Sequence, residues 1–423
     1  MIDVLMTHWS YAPEFSGAAL QGHRLALELK KLGVRVKVLT GTENPDLVGL
    51  DEVDGIPVQR ILRDRSSLRS HMSYGWEMFK HVLRYRKQVD LVHAHGFMAP
   101  VNLACKLANL PLVQKITNLN VDDPVSVRNR PLGQLLIKIF NYSNVIIPTS
   151  KILEKSCQAC RYEKSLYSKL PNGVDPHTFR PVSLDEKQQL RRQLHIPNDR
   201  MIFVTVGSVN HTKGIDNIIN ALHELKKTCL TDFQLLVIGP NKLIRNYGLG
   251  KSKIDEYSQR ILLSITEKKL FRYIKFLGVQ ANTHEYMQAA DVYLHASRQE
   301  GQPNAVLEAM ACGLPVVANL LPGITDELLQ NGKYGYVVDG ANPKHFASAI
   351  RVLMNNPNIR NRMSAFGRIE ILQNYNLWKI AEKYRALYLG VLNRQPDQAD
   401  ITLPQNQSLL SILNQIKHKD EEQ

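Results

Sequence analysis

Two carboxylates, Glu300 and Glu308, bracket the segment Glu300-Gly301-Gln302-Pro303-Asn304-Ala-Val-Leu-Glu308, which runs on through Ala-Met-Ala-Cys to Gly313-Leu-Pro315. Pro303 suits a first helical turn and Gly313 with Pro315 suits helix exit, so the spacing predicts a short helix over 303–312. Glu300 then lies in the loop before the helix and Glu308 lies within it. The amides of Gly301, Gln302 and Asn304 can form a positive concavity at the helix start, a place for anionic or hydroxyl-rich ligands. An ionised carboxylate accepts several hydrogen bonds from a diol, which gives both glutamates a use there. Each alone is also an ordinary feature, Glu300 as a charge favoured by the helix dipole and Glu308 as a solvated helix residue.

Other groups with chemical potential stand apart in sequence. Lys213 follows an apolar run in Val206-Gly207-Ser208-Val-Asn-His-Thr-Lys213-Gly214-Ile-Asp216. His93 and His95 close another run, Asp90-Leu-Val-His93-Ala-His95-Gly96, and such a pair could hold a metal, but no further His or acidic ligand lies nearby. Cys157 and Cys160 form an isolated C-x-x-C in a charged, helical segment, and five cysteines without regular spacing fit a reducing compartment. Neither half carries G-x-G-x-x-G after its first strand, and no G-x-x-x-x-G-K-[ST] occurs, so dinucleotide dehydrogenase and P-loop readings lose their main support.

The elements that must position these groups alternate between short apolar runs and helical patterns. Strand 2–6, helix 18–32 closed by Gly33 and strand 34–40 give the βαβ pattern of a parallel sheet, and strands 91–93, 112–116 and 145–148 continue it. The cluster Pro171-Asn-Gly-Val-Asp175-Pro176 interrupts the alternation and marks a domain boundary. A second series follows, with strands 201–206, 233–238, 273–276, 292–295 and 315–318. A chain of 423 residues suits two cores. Two doubly wound halves facing each other leave a cleft, and ligands in such sheets bind beyond the carboxyl ends of the strands.

The net charge of +14 points to anionic partners. Its densest region, Arg60, Arg63, Arg65, Arg69, Lys80, Arg84, Arg86 and Lys87 around Tyr74, Trp76 and Phe79, suits either an interfacial helix on anionic lipid or a solvated helix face. No readout helix or basic-aromatic groove is visible, so nucleic acid ranks last among partners. The stretch 91–113 is broken by His, Pro, Asn and Lys, which argues against a membrane span. No secretory leader is read at the N-terminus, so a cytoplasmic chain, peripheral on the inner face of the cell membrane, is expected.

Taken with the strands around it, the Glu300 to Glu308 segment resembles the family-4 glycosyltransferases. The resemblance runs from the first βα loop to Tyr388 and extends to the 206–216 loop, to Pro171-Asn-Gly-Val-Asp175 and to Phe276-Leu-Gly278-Val279. It implies an α/β protein of GT-B fold, two doubly wound Rossmann-like domains facing across a cleft. The implied organisation is an acceptor-side domain at 1–175, a nucleotide-sugar-binding domain at 176–375, a C-terminal helix at 376–395 returning to the first domain, and a polar tail at 396–423. The resemblance further implies a retaining transferase that moves a hexose-type sugar from a nucleoside diphosphate, UDP ahead of GDP, to a saccharide or lipid-linked saccharide acceptor in polysaccharide or glycolipid assembly. By the same resemblance Lys213 contacts the donor diphosphate, His95 lies near the donor sugar, Glu300 holds sugar hydroxyls and Glu308 the ribose, while Gly278 meets the base through its backbone. No cofactor or metal is required. Many members have Gly-Arg where this chain has Gly207-Ser208, so either Lys213 and helix amides suffice for the phosphates or Lys242 or Arg298 assists. Ser16-Gly17-Ala18 stands in place of a paired glycine, and Gly17 still permits close approach to a phosphate. A GT-B epimerase or phosphorylase shares the architecture but fits the Glu300 to Glu308 segment less well.

Overall fold

The computed structural model describes residues 1–14, 17–64, 66–160, 162, 167–228, 232–241 and 255–393. Ser16, Arg65, Lys242 and the tail 396–423 lie outside the described residues. The chain divides into two compact units, one formed by Met1–Gly173 with the segment that begins at Leu377, the other by Val174–Asn376.

The first unit is built on seven strands, β1 (Ile2–His8), β2 (Val34–Thr42), β3 (Gly49–Val53), β4 (Ile56–Leu62), β5 (Leu91–His95), β6 (Leu112–Ile116) and β7 (Val145–Pro148). Their order is β3-β4-β2-β1-β5-β6-β7, with β3 and β4 antiparallel and every other pair parallel. Helices cover both faces, so β5 and β6 are buried at every position. The β3–β4 hairpin closes through Asp54 and Gly55, whose φ values of 49° and 73° are the left-handed pair that matches strand twist. Helix Gly17–Lys31 follows β1, and helix Leu377–Val391 packs on it, burying Tyr384 and Tyr388 with Val4, Met6, Leu25 and Leu29. At roughly 2 kcal/mol for each large apolar side chain removed from water, these residues fasten the returning chain to the first unit.

The second unit has six parallel strands, β8 (Met201–Val206), β9 (Phe233–Ile238), β10 (Ile274–Gly278), β11 (Val292–His295), β12 (Val316–Asn319) and β13 (Gly335–Val338), ordered β10-β9-β8-β11-β12-β13. Phe203, Ile218, Leu222 and Phe346 fill one side of this sheet, and Val204, Tyr293, Leu307 and Met310 fill the other. In each sheet the chain works outward in opposite directions from a central pair, β1 and β5 in the first, β8 and β11 in the second. That reversal opens a crevice beyond the carboxyl ends of the central strands.

Several expectations need correction. The helix predicted over 303–312 is Asn304–Ala311, with Pro303 outside it as an extended cap (φ −78°, ψ 92°). Strands 273–276 and 315–318 are Ile274–Gly278 and Val316–Asn319, and β3, β4 and β13 were not expected at all. The basic region does not form one interfacial face. Arg60 and Arg63 are only 2% and 4% exposed, Arg60 on β4 between β2 and β3 and Arg63 just beyond the end of β4. Arg60 donates to the Ala12 carbonyl at 2.6 Å and pairs with Asp51 at 3.2 Å, while Arg63 pairs with Glu43 at 3.0 Å and lies over the Trp9 ring. Tyr74 is buried against the same Trp9. What remains outside is helix Leu68–Tyr85, with Met72 and Trp76 exposed on one face and Arg69, Arg84, Arg86 and Lys87 beside them. Among the described residues no helix is long and apolar enough to cross a membrane.

Candidate active site

In the second unit the reversal between β8 and β11 gathers residues that are far apart in sequence. After β8 the chain passes Gly207 and Ser208 into a single turn, His211–Lys213, which Asn210 caps by accepting from the Lys213 amide at 3.0 Å. Gly214 ends that turn at φ 66°, and a Cβ there would stand 2.0 Å from the Ala296 carbonyl oxygen, so only glycine lets the turn press against the end of β11. The bare Gly207 lets the Lys213 stem lie close over it, with a would-be Cβ 3.4 Å from Lys213 Cδ. The ammonium thereby reaches the β11 loop, where Lys213 Nζ meets Glu300 Oε1 at 2.5 Å. His295 Nε2 approaches the same oxygen at 3.6 Å.

Electrostatics fix the charges of this group. Burial would push the Glu300 carboxyl up, but the charge and hydrogen bond of Lys213 beside it, together with His295, hold it below the usual carboxylate range. Burial lowers His295 to about 4, so it is neutral at pH 7 and Lys213 is the cation that counts. Arg298, one of the two cations suggested as a second phosphate ligand, is committed elsewhere. Its guanidinium grips Asp216 with two bonds, at 2.9 and 2.6 Å, and donates to the His211 carbonyl at 2.7 Å. This bidentate clamp ties the 211–216 turn to the β11 loop and so braces Lys213.

The remaining residues singled out in this unit surround that pair. Gly301 and Pro303 are buried, and Gln302 and Asn304 half-buried, at the entrance to helix Asn304–Ala311. Glu308 is 6% exposed, so it is not the solvated helix residue of the plain alternative. Gly278 ends β10 at φ 71°, and its carbonyl accepts from the Gly239 amide at 2.7 Å. Gly239 in turn lies against Gly207, where a Cβ would be 2.3 Å from the Gly207 oxygen, so three strand ends converge on glycines whose backbones pack closely together. Ser208 is half-buried directly after Gly207.

In the first unit Gly17 is the exposed first residue of its helix. His95 is the last residue of β5, not a loop residue, and is 5% exposed. It lies between His8 and His93, with ring centroids 4.0 and 4.2 Å away and planes tilted by 30° and 37°, and beside Lys115 on β6. His8, Lys115 and His295 were not singled out from the sequence. Lys115 had a signal, a lone charge inside an apolar strand. Among the described residues no three His, Cys, Asp or Glu side chains are grouped as metal ligands.

Comparison with known proteins gives the family. The model for Glycosyltransferase Family 4 matches residues 15–178 and that for Glycosyl transferases group 1 matches residues 186–370. A D-inositol 3-phosphate glycosyltransferase of Catenulispora acidiphila is 25% identical over 78% of this chain and 81% of its own length. The alpha-monoglucosyldiacylglycerol synthase of Acholeplasma laidlawii is 25% identical over 91% of this chain and 96% of its own. The crystal structure of Anabaena HepE in complex with UDP and glucose superposes with a TM-score of 0.74 at 19% identity, covering 92% of this chain and all (100%) of that one. Two family matches that take up nearly the whole described chain, over two doubly wound sheets, place this protein among the family-4 glycosyltransferases of GT-B fold.

Proposed function

We propose that this glycosyltransferase is a retaining hexosyltransferase that uses a nucleoside-diphosphate sugar, UDP-linked in preference to GDP-linked, and a saccharide or lipid-linked saccharide acceptor. The observation that carries the reading is the Lys213–Glu300 pair at 2.5 Å, held at the carboxyl ends of the two central strands and beside a helix start. When the sugar's anomeric carbon–oxygen bond breaks, the electron pair moves to the bridging oxygen of the nucleoside diphosphate. Lys213, the amides near Gly301 and Asn304, and in the first unit the Gly17 amide, stabilise that growing charge more than the ground state. Glu300 accepts from sugar hydroxyls, Glu308 from the ribose, and the Gly278 backbone meets the base, with His95 assigned to the sugar. The acceptor oxygen attacks from the face that the diphosphate leaves, and its proton passes to a departing phosphate oxygen, so configuration is kept. No metal is needed in this scheme, since Lys213 and the amides supply the positive charge.

The HepE complex with UDP and glucose supports the donor class, and the monoglucosyldiacylglycerol synthase supports an acceptor in glycolipid assembly. A peripheral site of action at an anionic membrane is proposed from the exposed Met72, Trp76 and neighbouring cations of helix Leu68–Tyr85. Incubation with labelled UDP- and GDP-hexoses and lipid-linked saccharides, read by NMR of the product's anomeric centre, tests the function. Transfer with retained configuration and release of nucleoside diphosphate is expected. An inverted product, or a donor altered without transfer, overturns it.

A further inference from the structure

The carboxyl end of the first sheet carries four basic side chains, and the buried acid there, Asp122, is taken up by the Thr117 and Asn118 amides and the Thr117 hydroxyl at 2.7–2.9 Å. His8 ends β1, His95 ends β5, and Lys115 stands opposite His95 on β6, so the three form a rung across adjacent strands. His93 shares the face two residues back. All four are buried, at 1% exposure for His8, 0% for His93, 5% for His95 and 2% for Lys115. The helix Leu377–Val391 covers them, with the Tyr388 hydroxyl 2.7 Å from His93 Nδ1 and the Tyr384 ring 5.6 Å from Lys115 Nζ.

The cluster is incomplete as it stands. Among the described residues the Nε2 atom of each imidazole is buried without a hydrogen-bond partner, and no carboxylate lies within ion-pair reach of Lys115. Asp54, the acid on the side of helix Gly17–Lys31, is taken up by His23 at 2.8 Å, and His23 also meets Tyr11 at 2.8 Å. An unsatisfied buried polar group is destabilising, a cost that persists in folded proteins where a ligand or water repays it. Burial holds Lys115 down at about 7 and His8 at about 3, so a single anion entering here would recharge the lysine. The three imidazoles are not arranged as a metal-ligand group.

We propose that Lys115, His8, His93 and His95 form a subsite for one anionic group, a carboxylate or a phosphate monoester, carried by a substrate of the transfer. Lys115 supplies the charge and the imidazole Nε2 atoms supply the hydrogen bonds, while a neutral hydroxymethyl group in the same place brings no charge to pair with the lysine. The inference deepens the proposed sugar transfer and rests on it for the carrier, either an acidic sugar of the donor or a phosphorylated acceptor.

The test is titration of the full-length, histidine-labelled protein with inorganic phosphate and with glucuronate, read by NMR of the imidazole signals, with UDP binding measured in parallel. Saturable shifts of the three histidines are expected, weakened at least roughly tenfold in Lys115→Met with UDP affinity unchanged. UDP-glucuronic acid against UDP-glucose, and a sugar phosphate against its parent sugar, identify the carrier as whichever acidic member displaces the probe. Lys115→Gln is a second variant with the same expectation, and displacement in the wild type needs no variant. No saturable shift, wild-type affinity retained in both lysine variants, or binding that neither acidic substrate displaces overturns the proposal. Loss of UDP binding by the wild type marks failure of the sugar-transfer reading instead.

Discussion

Replacing Glu300 by Gln is expected to separate nucleotide binding from turnover in opposite directions. The Glu300 carboxylate holds Lys213 at 2.5 Å, with side-chain exposures of 11% and 32%. A nucleoside diphosphate must therefore share that ammonium with an anion already in place. A charge-assisted hydrogen bond contributes about 1.5–3 kcal/mol, and water around the half-exposed Lys213 reduces this toward about 1 kcal/mol, or roughly fivefold in affinity. Glu300→Gln keeps the shape and removes the competing charge, so UDP should bind the variant roughly fivefold more tightly by calorimetry. The same change removes the carboxylate that steadies the sugar as positive charge grows at its anomeric carbon. Turnover and specificity should fall together, by at least about tenfold, the effect of ~1.4 kcal/mol of lost transition-state stabilisation. UDP binding that is unchanged or weaker, or turnover within about threefold of wild type, would refute the reasoning that the two partners trade places.

Four further outcomes are expected. Lys213→Ala should cut turnover by roughly two to three orders of magnitude, the scale for losing one preorganised donor, as measured in steady state with saturating donor. Glu308→Gln should raise the donor Michaelis constant with little change in turnover, because a ribose contact is nearly the same in ground and transition states; a matching fall in turnover contradicts the ribose assignment. Lys115→Met should gain stability over wild type as pH falls from about 10 to about 7. The folded-state pKa of Lys115 lies below its unfolded value, so protonation destabilises the fold across that window, and chemical denaturation at both pH values reads the difference. Replacing Met72 and Trp76 by Ser should reduce co-sedimentation with anionic vesicles at low salt while leaving transfer to a soluble acceptor unchanged; equal recovery removes the membrane role of helix Leu68–Tyr85.

The parts of this molecule written locally in the sequence were legible. Strands Leu112–Ile116, Val145–Pro148, Met201–Val206, Phe233–Ile238 and Val292–His295 fall at the predicted residues, because each is a compact apolar run between turn formers. The β3–β4 hairpin was missed although Asp54-Gly55 is a hairpin turn signal, since Gly49-Leu-Asp-Glu-Val is exposed and polar and carries no apolar period. Four-residue β13 is too short to stand out. Pairings that depend on strand order were out of reach: nothing in the spacing of Lys213 and Glu300 says that β8 and β11 are neighbours, or that Arg298 is spent on Asp216. The basic region misled for the same reason, because a count of charges along the chain does not show that Arg60 points into the layer closed by Asp51 of β3. His8 and Lys115 become a cluster only once the register of β1, β5 and β6 is known.

The most direct test of the central claim is a crystal structure of the protein soaked with UDP. The diphosphate is expected within hydrogen-bond distance of Lys213 Nζ, near the start of helix Asn304–Ala311, with the Glu300 carboxylate withdrawn from the ammonium and the base against the Gly278 backbone. Nucleotide bound elsewhere, with the Lys213–Glu300 pair still closed at its present 2.5 Å, would contradict the account.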